Sequence, residues 1–142
     1  MPKSLPYVLA LVTALCWGVA PLLGKLGLQK TDAFTGLCVR SFAVSALLLV
    51  ALFTSGHHRH LSELTLRGTA YLVGEGILAS LIGHFAYYLA LKYGEASRVV
   101  PLASSFPLFA LAGAALFLAE KLTPAKLGGV ALIVVGALLC RR

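Results

Sequence analysis

Five long apolar runs constrain this chain of 142 residues more than any other feature. An α-helix rises ~1.5 Å per residue, so about 20 apolar residues cross the hydrocarbon core of a bilayer. Runs of this length therefore predict an all-α integral membrane protein, a single domain over residues 1–142 with five transmembrane helices. The predicted spans are residues 6–28, 34–54, 68–91, 96–118 and 124–140.

The composition agrees with lipid as the solvent. Charged residues make up 12% of the chain, against about 25% in soluble domains, which is too little to cover a water-exposed surface. The net charge of +7 is scattered between the apolar runs. It therefore suits anionic lipid head groups better than nucleic acid. We expect the bilayer as a partner, and no nucleic acid.

No motif of an enzyme or cofactor site is present. The sequence lacks an HExxH motif and a phosphate-binding glycine loop, and its three cysteines have no metal-ligand spacing. His57, His58 and His60 surround Arg59 in the longest loop, and such a cluster can bind a metal. Since Glu63 is the one acidic residue nearby, we prefer a solvated loop that touches head groups. We expect no enzyme activity, no cofactor and no metal.

Three ionisable side chains lie inside the apolar runs: Arg40, Glu75 and His84. Such groups are costly in hydrocarbon and usually face a partner or a wet cavity. They are candidates for proton coupling or charge pairing. The structural alternatives are that Arg40 extends to the head groups, that Glu75 is a neutral, hydrogen-bonded acid, and that His84 packs through a hydrogen bond.

A substrate site is predicted from aromatic and helix-breaking residues. Pro101 and Pro107 should break the fourth span, and the freed carbonyls need partners or water. Aromatic faces suit cationic or amphipathic molecules, although the tyrosines are equally suited to anchor the interface. The candidate substrate-binding residues are Trp17, His84, Tyr87, Tyr88, Ser104, Ser105 and Pro107.

The depths of the ionisable groups differ. Glu75 lies ~10 Å from the membrane surface on the side of the N-terminus. Arg40 and His84 lie ~9 and ~10 Å from the opposite membrane surface. A partner in inverted orientation would bring them level. His84 is nine residues after Glu75, which places the two side chains about half a turn apart on a regular helix. They should therefore point apart unless Gly74, Gly76 and Gly83 distort that helix.

The order and spacing of several short motifs resemble the EamA family of the drug/metabolite transporter superfamily. The resemblance covers nearly the whole chain. Its common form has ten spans in two five-span repeats of opposite orientation, and this chain resembles one repeat. The resemblance thus implies an antiparallel homodimer or a heterodimer with a second half. The motifs are Trp17-Gly18, 40–43, 88–97, 107–109, 118–123, 128–133 and Gly136.

Three functions are compatible with this pattern. The first is a secondary active transporter in a cell membrane, the bacterial inner or plasma membrane, that exports small metabolites or drugs by alternating access as a dimer. The second is a lipid-carrier flippase subunit. The third is a non-transporting assembly subunit, which the intramembrane charges and paired prolines disfavour because they are costly in a merely structural helix.

The loop charges predict dual topology. Five basic residues fall on the N-terminal side and six, or seven with Arg40, on the other, so the positive-inside rule sets no orientation. We expect compartment-sensitive reporters fused to either terminus to report both sides of the membrane. A terminus found on one side in every molecule would contradict this.

Overall fold

The computed structural model describes residues 4–140, and all of its regular secondary structure is helical. Seven α-helices are accompanied by one 3-10 helix and one π-helix. In chain order they are α1 (Leu5–Gly27), α2 (Ala33–Thr54), the 3-10 helix (His57–Glu63), α3 (Leu66–Glu75), the π-helix (Gly76–Gly83), α4 (His84–Tyr93), α5 (Ala96–Ala103), α6 (Pro107–Phe117) and α7 (Pro124–Leu139).

The predicted all-helical architecture is confirmed, and each predicted span coincides with helix to within two residues. Four stretches are long and apolar enough to cross a membrane: Leu5–Gly27, Ala33–Thr54, Leu66–Tyr93 and Ala96–Phe117. The last apolar helix, α7, has 16 residues. At ~1.5 Å per residue it is ~24 Å long, shorter than the ~30 Å hydrocarbon core.

Side chains cap the helices where the sequence supplies them. The Asp32 carboxylate accepts hydrogen bonds from the backbone N–H groups of Phe34 and Thr35, 3.0 Å each, at the start of α2. Thr123 caps α7 with Pro124 in its first turn. These caps satisfy backbone donors that have no partner within the helix.

The third span changes helix type in its middle. Residues 76–83 form a π-helix between α3 and α4, whereas the sequence alone predicted one regular helix unless its glycines intervened. An i→i+5 helix has about 4.4 residues per turn, so each residue turns ~80° instead of ~100°. Over eight residues of ideal geometry this difference adds up to nearly half a turn, which would turn His84 toward the face of Glu75.

The fourth span is broken, as its two prolines predicted. α5 ends at Ala103 and α6 begins at Pro107. Ser104 Oγ donates to Val100 O at 2.8 Å and Ser105 Oγ donates to Leu102 O at 2.7 Å. The two hydroxyls thus bond to carbonyls of the last turn of α5 next to the break.

The chain divides into two compact units. Unit 1 runs to Lys25 and resumes at Tyr93, and unit 2 is Leu26–Lys92. In unit 2, Leu28, Ala33, Leu37 and Leu91 are buried. The adjacent Lys92 ammonium donates to Thr31 O at 2.9 Å, which ties α4 to the turn before α2. This end of unit 2 therefore holds its apolar core.

We expect Leu91→Ala to destabilise the protein more than Leu66→Ala. Leu91 is fully buried and Leu66 is 89% exposed. Truncating a buried leucine costs about 2–5 kcal/mol, whereas exposed changes stay within about 0.5 kcal/mol. Thermal unfolding in detergent measures the difference; equal midpoints for the two variants would contradict the assigned core.

We also expect acid to remove a stabilising contribution of Asp32. The pKa of Asp32 is lowered below 3.8, mainly by hydrogen bonds from Thr35. The hydrogen bond from the Phe34 N–H and the charge of Lys92 have smaller effects in the same direction. The contribution is present above the unfolded pKa and is lost as pH falls through the folded value. Asp32→Asn keeps a cap acceptor without the charge. Its thermal midpoint should lie below that of the wild type at neutral pH, and the gap should close below about pH 4.

Candidate functional site

The predicted site residues fall into both units. Unit 1 contains Trp17, Ser104, Ser105 and Pro107, and unit 2 contains Arg40, Glu75, His84, Tyr87 and Tyr88. Each group is therefore described within its own unit.

In unit 1, α1 meets the break in the fourth span. The Trp17 and Phe106 rings lie edge to face with centroids 6.2 Å apart, an arrangement that aromatic pairs favour. Ser105 and Pro107 are the chain neighbours of Phe106, so Trp17 adjoins the predicted break. Trp17 keeps 63% of its surface exposed, which leaves an aromatic face for a ligand.

An apolar groove begins at the same break. It has a volume of about 520 Å³ and lies between α6 and α7. Several of the residues that line it are small, so α6 and α7 leave space between their backbones. Its lining includes Phe106, Pro107, Ala110, Ala114, Gly129 and Ile133.

An ion pair lies at the polar part of this groove. Lys126 Nζ is 3.5 Å from Glu120 Oε2, and both residues line the groove. Ala119 adopts a left-handed φ of 52° immediately before Glu120, where the chain turns from α6 toward α7. The sequence alone did not indicate this pair as part of a site, because its place in the groove depends on how α6 and α7 pack.

In unit 2, His84 is positioned by the π-helix. Its backbone N–H and its Nδ1 both bond to Ala79 O, the latter at 3.0 Å. Because a carbonyl only accepts, Nδ1 carries the proton, and Nε2 of the neutral ring holds a lone pair. The rings of Tyr87 and Tyr88 lie edge-on to the imidazole, each at 6.4 Å. His84 thus offers one proton-accepting atom beside two phenols.

Tyr88 also packs against α2. A β-carbon added at Gly36 would lie 3.7 Å from the Tyr88 ring and 2.9 Å from Leu28 Cδ2. Gly36 therefore permits close approach of α2 to α4. One side of the Tyr88 ring is therefore occupied by this packing contact.

The other two ionisable groups have no polar partner in the described part of the chain. Among residues 4–140, neither the Glu75 carboxylate nor the Arg40 guanidinium forms a side-chain hydrogen bond or ion pair. Glu75 is exposed and Arg40 half-buried. A carboxylate inside an apolar span needs water, a proton or a partner, so Glu75 stays a candidate for proton coupling or charge pairing.

The histidine loop forms the 3-10 helix. Within residues 4–140, no three His, Cys, Asp or Glu side chains are arranged to hold a metal ion together. His60 Nδ1 lies 3.1 Å from Glu63 Oε2, and the ring of His58 stacks on Phe53 with centroids 5.4 Å apart. The prediction that this loop binds no metal stays a prediction.

Comparison with the sequences of known proteins places this chain among membrane transporters. The sequence profile of the EamA-like transporter family matches residues 4–142. The chain is 36% identical over 133 residues to an uncharacterised protein from Pseudomonas aeruginosa, covering 89% of this chain. It is 32% identical over 131 residues to an uncharacterised transporter in the cobO 3′ region of Sinorhizobium, covering 92% of both proteins. No solved structure matches the sequence.

A further relative carries a functional name. The probable amino-acid metabolite efflux pump of Salmonella typhimurium is 32% identical over 146 residues, or 92% of this chain. The chain spans 46% of that pump and 44% of the Pseudomonas protein, less than half the length of each. The family match and the apolar helices together make this a multi-pass membrane protein, and the chain belongs to the EamA-like transporter family.

Proposed function

We propose that this protein is one half of a secondary active transporter that exports small metabolites or drugs from the cell by alternating access across the bacterial inner membrane. The observation that carries this proposal is the family match over residues 4–142. The carboxylate of Glu75, which has no polar partner among residues 4–140, supports it, because intramembrane ionisable groups mark proton and substrate pathways.

The lengths of the relatives support a dimer as the proposed working form. The chain spans under half of the Salmonella pump but 92% of the Sinorhizobium transporter, so relatives exist in both lengths. A half-length chain rebuilds the longer form by pairing with a second copy in inverted orientation. In this arrangement α7 serves as a fifth, short span.

The third span has the symmetry that an inverted pair needs. Glu75 lies nine residues after Leu66, and His84 lies nine residues before Tyr93. Each is therefore ~13 Å from its own end of the span. When two copies run antiparallel, Glu75 of one chain comes level with His84 of the other.

The π-helix adds the matching rotation. Nine regular α steps would set Glu75 and His84 about 180° apart, whereas eight π steps reduce the angle to about 40°. With both groups on similar faces, one antiparallel contact pairs each carboxylate with an imidazole of the second copy. A twofold interface is self-complementary in this way.

These pairs supply a proton-coupling device. A carboxylate beside an imidazole holds one proton between two acceptors, Glu75 Oε and His84 Nε2. When substrate binding displaces this proton from the pair, the proton is released to solvent, and reprotonation resets the site. Arg40 lies at the depth of His84 and supplies a positive charge to the ionised carboxylate.

The substrate class follows from unit 1. The groove beside Trp17 and Phe106 is apolar with one ion pair, Glu120–Lys126, in its lining. A small molecule with an apolar body and both charges fits this chemistry. Zwitterionic amino-acid metabolites are therefore the first substrates to test, in line with the name of the Salmonella relative.

We expect Glu75→Gln to abolish substrate-driven proton release from purified protein in liposomes, with a loss of at least about tenfold. His84→Gln should give the same loss, since it removes the other half of the pair. Glu95→Gln is the matched control, because Glu95 is a carboxylate outside the spans that pairs with Arg98 at 2.7 Å.

Two results would separate the parts of this proposal. Unchanged, pH-independent transport by Glu75→Gln would remove Glu75 from the mechanism while leaving a transporter. Translocation of a labelled lipid carrier, with no response to amino-acid metabolites, would instead assign the protein to lipid flipping.

A further inference from the structure

The loop between α2 and α3 places two imidazoles side by side. A 3-10 helix has 3.0 residues per turn, so side chains three residues apart eclipse one another. His57 and His60 are three apart in the 3-10 helix His57–Glu63, and both are exposed. Their ring centroids lie 5.9 Å apart with planes inclined at 53°.

The hydrogen bonds of this loop define which nitrogen of each ring is protonated. Ser55 Oγ donates to Ala51 O at 2.6 Å, so it accepts the bond from His57 Nδ1, 2.8 Å away. The Glu63 carboxylate accepts the bond from His60 Nδ1 at 3.1 Å. Both Nδ1 atoms therefore carry protons, and both Nε2 atoms hold lone pairs.

This is the arrangement of metal-ligating histidines. Such a histidine almost always donates its other ring N–H to a carboxylate, carbonyl or water, which orients the ring and raises its basicity. Here a hydroxyl and a carboxylate fill that role. Ser55 and Glu63 are thus positioning residues, and the two Nε2 atoms are the candidate ligands.

Although the sequence led us to expect no metal at this loop, we propose that His57 and His60 form a surface site for one divalent transition metal ion, with water completing the coordination. Two imidazoles that share a tetrahedral ion at ~2.1 Å have ring centroids about 5 Å apart. The observed 5.9 Å needs a closure of about 1 Å, which exposed side chains supply by small rotations. Imidazole ligands select zinc, nickel or copper over magnesium or calcium.

The neighbouring His58 provides an internal control. Its ring stacks on Phe53 with centroids 5.4 Å apart and planes inclined at 28°, and its Nδ1 is buried without a hydrogen-bond partner among the described residues. It is off the face that His57 and His60 share, since it is one residue along the helix from His57. Its loss should leave the site intact.

The test is isothermal titration calorimetry with Zn²⁺ and Ni²⁺ on protein purified without a histidine tag. His57→Ala and His60→Ala should each weaken the tighter binding event at least about tenfold, and Glu63→Gln should weaken it about tenfold by loss of ring orientation. His58→Ala should bind as wild type does. The Cu²⁺ complex of wild type should show two nitrogen couplings by electron paramagnetic resonance, and His57→Ala should show one.

Three outcomes overturn the site. One is wild-type binding no tighter than that of the His57→Ala/His60→Ala double variant. Another is a loss in His58→Ala as large as that in His57→Ala, which would assign binding to an unstructured histidine tract. The third is a copper spectrum without histidine nitrogen. Thermal unfolding of each variant verifies that the loop change leaves the fold intact.

Discussion

The structure depends on one constraint: in hydrocarbon every backbone N–H and C=O must find a partner within the protein. Regular α-helix meets it automatically, and at the departures from α-helix side chains add hydrogen bonds to carbonyls that already accept a backbone N–H. His84 donates to Ala79 O at the end of the π-helix, and the hydroxyls of Ser104 and Ser105 donate to carbonyls beside the broken fourth span. All three residues are among those that the sequence predicts to line a substrate site.

The sequence predicts regular features well for a physical reason. Apolar runs bounded by polar turns specify where helices begin and end, and Thr123-Pro124 marks a helix start by its capping chemistry. Pro101 and Pro107 predict the break because proline lacks the N–H that an α-helix requires. Each of these signals is local, so it can be read without knowledge of the rest of the fold.

The π-helix and the ion pair of the groove depend on more than local pattern. Residues 76–83 form a mainly apolar octamer that begins and ends with glycine, and i→i+4 and i→i+5 bonding satisfy the same number of backbone groups in its interior. The sequence therefore permitted the half-turn that reorients Glu75 relative to His84 but did not require it. The contact of Glu120 with Lys126 and that of Trp17 with Phe106 join separate elements, which no periodicity reveals.

The placement of Glu75 and His84 bears on the choice between a homodimer and a heterodimer. In a heterodimer the second chain supplies its own partner groups at any depth, so nothing requires these two residues to be equidistant from the ends of their span. In an antiparallel homodimer the same chain must supply both halves of every pair, and equal distances from opposite ends become necessary. Nine residues on each side meet this requirement. The placement of these two groups in one helix is therefore what the proposed homodimer requires, whereas a heterodimer does not require it.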